Sequence, residues 1–102
     1  MDSNFKLEYT TFFAKQWDNY DSKTRDIIKE KLRLLRDNPF RYPTHKGYLR
    51  VRKVKVNIEG KYQRLMYAVH IPESNHILIL GVFARDMDYR DFEKKFKHLK
   101  KK

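Results

Sequence analysis

Two lysines one residue apart, Lys53-Val54-Lys55, are followed by Arg64 and then by Arg85, each set in a run of aliphatic residues. On a β-strand, alternation puts Lys53, Lys55 and Asn57 on one face and Val54, Val56 and Ile58 on the other. Arg64 falls on the neighbouring strand, across from the lysines, with Leu65, Tyr67 and Val69 directed to the core, and Arg85 closes a third strand. Three strands thus offer their cations to one surface, which suits phosphate. The set also suits attack of an RNA 2′-hydroxyl on its own 3′-phosphate. That reaction needs the hydroxyl deprotonated, charge stabilised on the pentavalent phosphorane, and a proton for the leaving 5′-oxygen. Arginine supplies only charge and hydrogen bonds. A lysine packed among other cations deprotonates more readily and serves as base or acid, and tyrosine serves similarly. A metal-free ribonuclease of Lys, Arg and Tyr is therefore sensible chemistry; a solvated or simply nucleic-acid-binding face is the plainer reading of the same residues.

Other chemistries find little support. The histidines His45, His70, His76 and His98 lack metal-ligand spacing, and no acidic cluster accompanies them, so no metal is expected. Gly47, Gly60 and Gly81 stand alone, which removes a phosphate-cradling loop and, with it, the expectation of a cofactor. The absence of cysteine excludes disulfides and thiolate chemistry.

The elements that must position the cations follow from periodicity. Phe5 to Tyr9 alternates like a half-buried strand, and Thr10 or Thr11 can cap a helix running to Asn19, with Phe13, Trp17 and Tyr20 as a core stripe. Asp21 or Ser22 caps a second helix from Lys23 to Asp37, with Ile27, Ile28, Leu32, Leu34 and Leu35 inward, stopped by Asn38-Pro39. Residues 40–48 read as a loop whose Arg41, His45 and Lys46 are either solvated or part of the cationic surface. Three strands follow: Leu49 to Ile58, a turn at Glu59-Gly60-Lys61, Tyr62 to Ile71, a turn at Pro72-Glu73-Ser74-Asn75, and His76 to Ala84. The last run is apolar almost throughout and reads as a central strand covered on both faces. Leu49 and Val51 have the opposite parity from Val54 and Val56, which predicts a bulge near Arg52-Lys53 or a change of exposure there. The same break leaves Arg50 and Arg52 as alternatives to Lys53 and Lys55. Tyr89, Phe92, Phe96 and Leu99 make a narrow stripe on a final lysine-rich helix, loosely held by its own fold, that packs at the sheet's edge or stays mobile until a partner covers it.

Composition agrees with a polyanionic partner. The 102 residues make one domain, 1–102, and carry a net charge of +11, concentrated on the sheet and the tail: Arg41 to Arg64 holds eight Lys or Arg against one acid. The first residues have no signal-peptide core and no run is long enough to span a membrane, so a cytoplasmic protein with no membrane partner is expected.

The ordered set of a short strand, a helical hairpin ending in Asn38-Pro39, Lys53-Val54-Lys55, Gly60-Lys61-Tyr62-Gln63-Arg64-Leu65-Met66-Tyr67 and Ile79 to Asp86 resembles the RelE/ParE toxin superfamily. Within it, the closer resemblance is to RelE-like messenger-RNA interferases of type II toxin–antitoxin systems. The resemblance implies an α+β fold: a twisted, mainly antiparallel four-stranded sheet with an N-terminal α-hairpin on one face, the cations on the other, and a short C-terminal helix. It implies a metal-independent endoribonuclease cleaving messenger RNA at the ribosomal A site, with a cognate antitoxin, the ribosome and mRNA as partners. By the same similarity Lys53 and Lys55 orient or activate the 2′-hydroxyl, Arg64 and Arg85 stabilise the phosphorane, and Tyr89 stacks on a base or assists proton transfer. Lys46, Arg50, Arg52 and Lys61 would add RNA-binding charge. Two other readings share the fold and the charge: a ParE-like poison of DNA gyrase, and a non-catalytic or degenerate RNA-binding module.

Overall fold

A computed structural model of the chain describes residues 5–70 and 75–100. The described elements run β1 (Lys6–Tyr9), α1 (Thr11–Asp18), α2 (Ser22–Asp37), β2 (Val51–Ile58), β3 (Lys61–His70), β4 (His76–Phe83) and α3 (Asp86–Phe96), followed by a 3₁₀ turn over Lys97–Leu99. The sheet order is β1-β4-β3-β2. β1 lies parallel to β4, and the other two pairings are antiparallel. This is the α+β architecture expected of the sequence. The expected turn at Pro72-Glu73-Ser74 falls outside the described residues.

Both helices of the hairpin start on side-chain caps. The Thr10 hydroxyl accepts from the Phe13 amide at 3.0 Å, and the Asp21 carboxylate accepts from the Thr24 amide at 2.8 Å. Those hydrogen bonds hold the Asp21 carboxyl below its ordinary range. α2 ends where Asn38 leaves helical geometry ahead of Pro39. Pro39 is buried, and its carbonyl accepts from the Tyr67 hydroxyl at 2.7 Å, which ties the hairpin's exit to the middle of the sheet. Burial pushes the Tyr67 phenol well above its usual pKa, so this donor keeps its proton throughout the working range.

The sheet has two apolar layers. Phe13, Ile28, Leu32 and Leu35 pack on Val54, Val56, Ile58, Leu65, Tyr67, Val69, Ile77 and Ile79, with Trp17 and Tyr20 half-buried against them. The opposite face carries Val51, Met66, Leu80 and Phe83, covered by Tyr48, Tyr89 and Phe92, with Phe96 and Leu99 beside them. This second layer resolves the parity of Val51 and Val54 without a bulge in β2. The β2–β3 register is unbroken from Val51↔Ala68 to Ile58↔Lys61, and the two valines simply face different cores. Leu49 lies before the strand and is exposed. The irregularity sits elsewhere, between β3 and β4, where Met66 pairs Gly81 and Tyr67 pairs Ile79.

α3 also departs from expectation. Phe92 is fully buried, meeting Phe83 edge to face at 5.3 Å and stacking on Phe96 at 5.5 Å between ring centroids. A stripe of three aromatics and a leucine is narrow, but large rings bury enough area to dock an eleven-residue helix firmly on its own sheet.

At the bulge α1 comes close to the backbone of β4. Gly81 has φ +151, and a Cβ there would sit 2.8 Å from two atoms of the Phe12 ring. The Gln16 side chain lies alongside, accepting from the Val82 amide and donating to the Val82 carbonyl, each at 2.8 Å. Gly81→Ala is therefore expected to destabilise the fold by about 1–3 kcal/mol through backbone strain and overpacking, measured by urea unfolding.

Candidate nucleic-acid interface

The register decides which cations meet. Lys55 is the direct partner of Arg64, and Arg64 is the partner of Phe83, two residues before Arg85. Lys53, Lys55, Asn57, Tyr62 and Arg64 share one sheet face by alternation, the face that α3 covers only over Val51, Met66, Leu80 and Phe83. The remaining half of that face is cationic. Arg85 is exposed at the start of α3, and its carbonyl accepts from the Tyr89 amide at 3.2 Å.

The other sequence-designated residues are placed as follows. Arg52 belongs to the opposite face, where it donates to the carbonyls of Phe40 and Tyr42 at 3.3 and 2.5 Å and lies 5.3 Å from the Phe40 ring centroid. It ties the 40–48 loop to β2 and does not share the face of Lys53 and Lys55. Arg50 is exposed just before β2, and its carbonyl accepts from the Val69 amide. Lys46 is exposed in the loop, and Lys61 opens β3 opposite Ile58.

Tyr89 is only 5% exposed, so its ring is part of the second core. It meets the cationic row at one point: the Lys53 ammonium lies 4.6 Å from its ring centroid. The Tyr89 backbone takes φ 64, a left-handed conformation that costs a non-glycine residue about 1–2 kcal/mol and is offset here by burial of the ring.

Tyr62, Tyr48 and Glu93 were not singled out from sequence, and His45 was named only as a loop residue, either solvated or part of the cationic surface. Tyr62 is 61% exposed beside the cations, with the Lys55 ammonium 4.9 Å from its ring centroid. An open aromatic face among lysines and arginines has the chemistry to stack on a base. Its signal was available, since Tyr62 has the parity of Arg64. His45, Tyr48 and Glu93 had no such signal, because they come from a loop and a helix that only the tertiary fold brings together. His45 and Tyr48 are buried, which corrects the solvated reading of His45. The His45 Nε2 is 3.2 Å from Glu93 Oε2, the Tyr48 hydroxyl donates to Glu93 Oε1 at 2.9 Å, and the Lys53 Nζ is 3.2 Å from His45 Nδ1. The loop is pinned for this purpose by the His45 amide donating to the Val51 carbonyl and the Lys53 amide to the Pro43 carbonyl. Burial pushes the Glu93 carboxyl up, but hydrogen bonds from Tyr48 and His45 and the charge of Lys100 outweigh it and bring it below its ordinary range. Burial and the same carboxylate push the Tyr48 phenol up to about 12.

A four-stranded sheet in the order β1-β4-β3-β2, with a helical hairpin on one face and a C-terminal helix on the other, is the RelE fold. The chain is similar to an arginine-to-alanine double mutant of the E. coli toxin RelE in the free state, at a TM-score of 0.70 and 22% identity, over 91% of this chain and 98% of that one. It is similar to a chain of the intact E. coli RelBE toxin–antitoxin complex at 0.66 and 23%, over 78% and 95%, and to the isolated RelE toxin at 0.66 and 23%, over 89% and 97%. No family model and no curated protein sequence matches the chain. Among the described residues no helix is long and apolar enough to cross a membrane.

The lowered Glu93 pKa sets a pH dependence. A carboxyl whose folded pKa lies below its unfolded value contributes stability that is present above the unfolded value, about 4.3, and is lost as pH falls through the folded one. Thermal unfolding from pH 6 to pH 3 should show a steeper loss of Tm in the wild type than in Glu93→Gln, which carries no titrating group there. Equal slopes would show that the carboxylate does not hold α3.

Proposed function

We propose that this chain is the toxin of a toxin–antitoxin pair, a metal-independent endoribonuclease that cleaves messenger RNA in the ribosomal A site. The observation that carries this reading is the register that sets Lys55 beside Arg64 and Arg64 beside Phe83, with Lys53 on the same face, the one that the hairpin leaves open; Arg85 follows Phe83 by two residues. The RelE fold adds to it, and the neighbour crystallised as an intact toxin–antitoxin complex supports an antitoxin as partner.

In this reading the phosphate of the scissile link rests between Arg64 and Arg85, whose permanent charges stabilise the phosphorane as it forms. Lys53 and Lys55 take the side of the attacking 2′-hydroxyl, one orienting it and one receiving its proton. Tyr62 stacks on a base of the bound strand, and Tyr89 orients Lys53 from beneath. The ribosome holds the message in line for attack, and the 2′-oxygen closes a cyclic phosphate as the 5′-oxygen leaves. Lys46, Arg50 and Lys61 extend the positive surface along the RNA. The antitoxin neutralises the toxin by covering this face. The protein acts in the cytoplasm, where translating ribosomes are.

Inducible expression tests the reading. The wild type should arrest growth and leave codon-phased cuts in a translated message by primer extension. Arg64→Ala and Arg85→Ala should each lower cleavage about 100-fold or more, as loss of a transition-state donor does. The Lys53→Ala/Lys55→Ala pair should abolish it, and Tyr62→Ala should weaken RNA binding with a smaller effect on the cleavage step. Arrest without message cleavage would favour a gyrase poison, and folded protein that binds RNA without arrest would favour a non-catalytic module.

A further inference from the structure

The His45 imidazole is enclosed by rings and bonded at both nitrogens. Tyr48, Tyr89 and Phe92 stand 5.1, 4.9 and 5.3 Å from it, centroid to centroid. Its side chain is 6% exposed. An ammonium can only donate and a carboxylate only accept, so the contacts to Lys53 and Glu93 fix the neutral tautomer: Nε2–H donates to Glu93, and Nδ1 accepts from Lys53. A phenylalanine would fill this aromatic cage at less desolvation cost, so the polar chain needs a reason beyond packing.

Lys53 supplies one. Its amine sits at the border between the second core and the row of like charges begun by Lys55 and Arg64. A four-carbon stem has many rotamers to lose when it is fixed, and the neighbouring cations push the ammonium away. A buried acceptor backed by a carboxylate opposes both effects.

Resting on the ribonuclease reading above, we propose that His45 is the positioning residue of Lys53, holding its amine at the scissile phosphate, and that Glu93 and Tyr48 lock the imidazole in the tautomer this requires. No proton leaves the protein in this role. His45 accepts a hydrogen bond from the Lys53 ammonium and touches no substrate atom. Protonation of the imidazole removes the acceptor and sets two cations face to face, so the arrangement fails on the acid side. The titratable groups set against the ring include Lys53 on β2, Glu93 and Tyr89 on α3, and Tyr48 in the loop.

Two variants and one spectrum test this. His45→Phe keeps the ring packing and removes both hydrogen bonds. His45→Gln can still accept from Lys53 and donate to Glu93. Message cleavage on ribosomes should fall about 10- to 100-fold in kcat for His45→Phe, with KM within about twofold, and His45→Gln should recover most of the rate. Equal losses in both variants would overturn the proposal. Nitrogen-15 NMR of the wild-type imidazole reads the arrangement without RNA: Nδ1 should be unprotonated and hydrogen-bonded, and its resonance should move in Lys53→Met. A proton on Nδ1, or no movement, would overturn it even if cleavage is seen. Wild-type protein with the expected NMR signature but no cleavage would remove the ribonuclease reading and with it the catalytic purpose of the contact, leaving the geometry standing. If circular dichroism shows that His45→Phe does not fold, His45→Gln and the spectrum decide alone.

Discussion

β4 is apolar on both sides, and a strand of that kind at the centre of a small sheet must be covered twice. Ile77 and Ile79 face the hairpin, while Leu80 and Phe83 face α3. The chain has one helical hairpin and one short helix to spend on this, so coverage of the second face stops partway. Where it stops, the outward positions of β2 and β3 turn from Val51 and Met66 to Lys53, Lys55 and Arg64. The candidate site is thus the unroofed remainder of a core. Its cations are held in register by the same hydrogen-bond ladder that aligns the apolar residues beside them.

This origin explains why the face is mixed in character. Lys53 belongs to both parts, with its ammonium over the Tyr89 ring and its Nζ bonded to His45. Glu93, on the lysine-rich C-terminal helix, is the carboxylate that meets it through the imidazole. Charge of one sign outside and a half-buried carboxylate beneath is an arrangement that keeps the surface positive while giving one amine a defined place.

Much of this was legible in the sequence because period-two alternation and helix caps are local. The hairpin, its termination at Asn38-Pro39, the three later strands and the shared face of Lys53, Lys55 and Arg64 all follow from short-range pattern. The second core was harder to read. Val51 looked out of phase because the sequence shows parity but not which face is roofed, and the narrow stripe of Tyr89, Phe92, Phe96 and Leu99 gave no measure of how deeply those rings pack. His45 was read as a loop residue for the same reason. Loops seldom bury polar groups, and the exception here depends on partners 8 and 48 residues away. The parity break in β2 allowed a bulge or a change of exposure and proved to be the latter, whereas the irregularity that does occur lies between β3 and β4, beside Gly81 in the apolar strand.

The Gln16 amide bonded to both polar groups of Val82 has a bearing on how the protein behaves in a crowded solution. β1 pairs β4 only as far as Ile79, so the stretch after it would present a bare strand edge on that side. The Thr10 hydroxyl takes the Leu80 carbonyl and Gln16 takes the Val82 amide and carbonyl. Two side chains, the cap of α1 and a residue of its second turn, thus stand in for the missing residues of a neighbouring strand. That stretch of β4 therefore offers no free backbone pair to a second copy, although β4 has lost its neighbouring strand there.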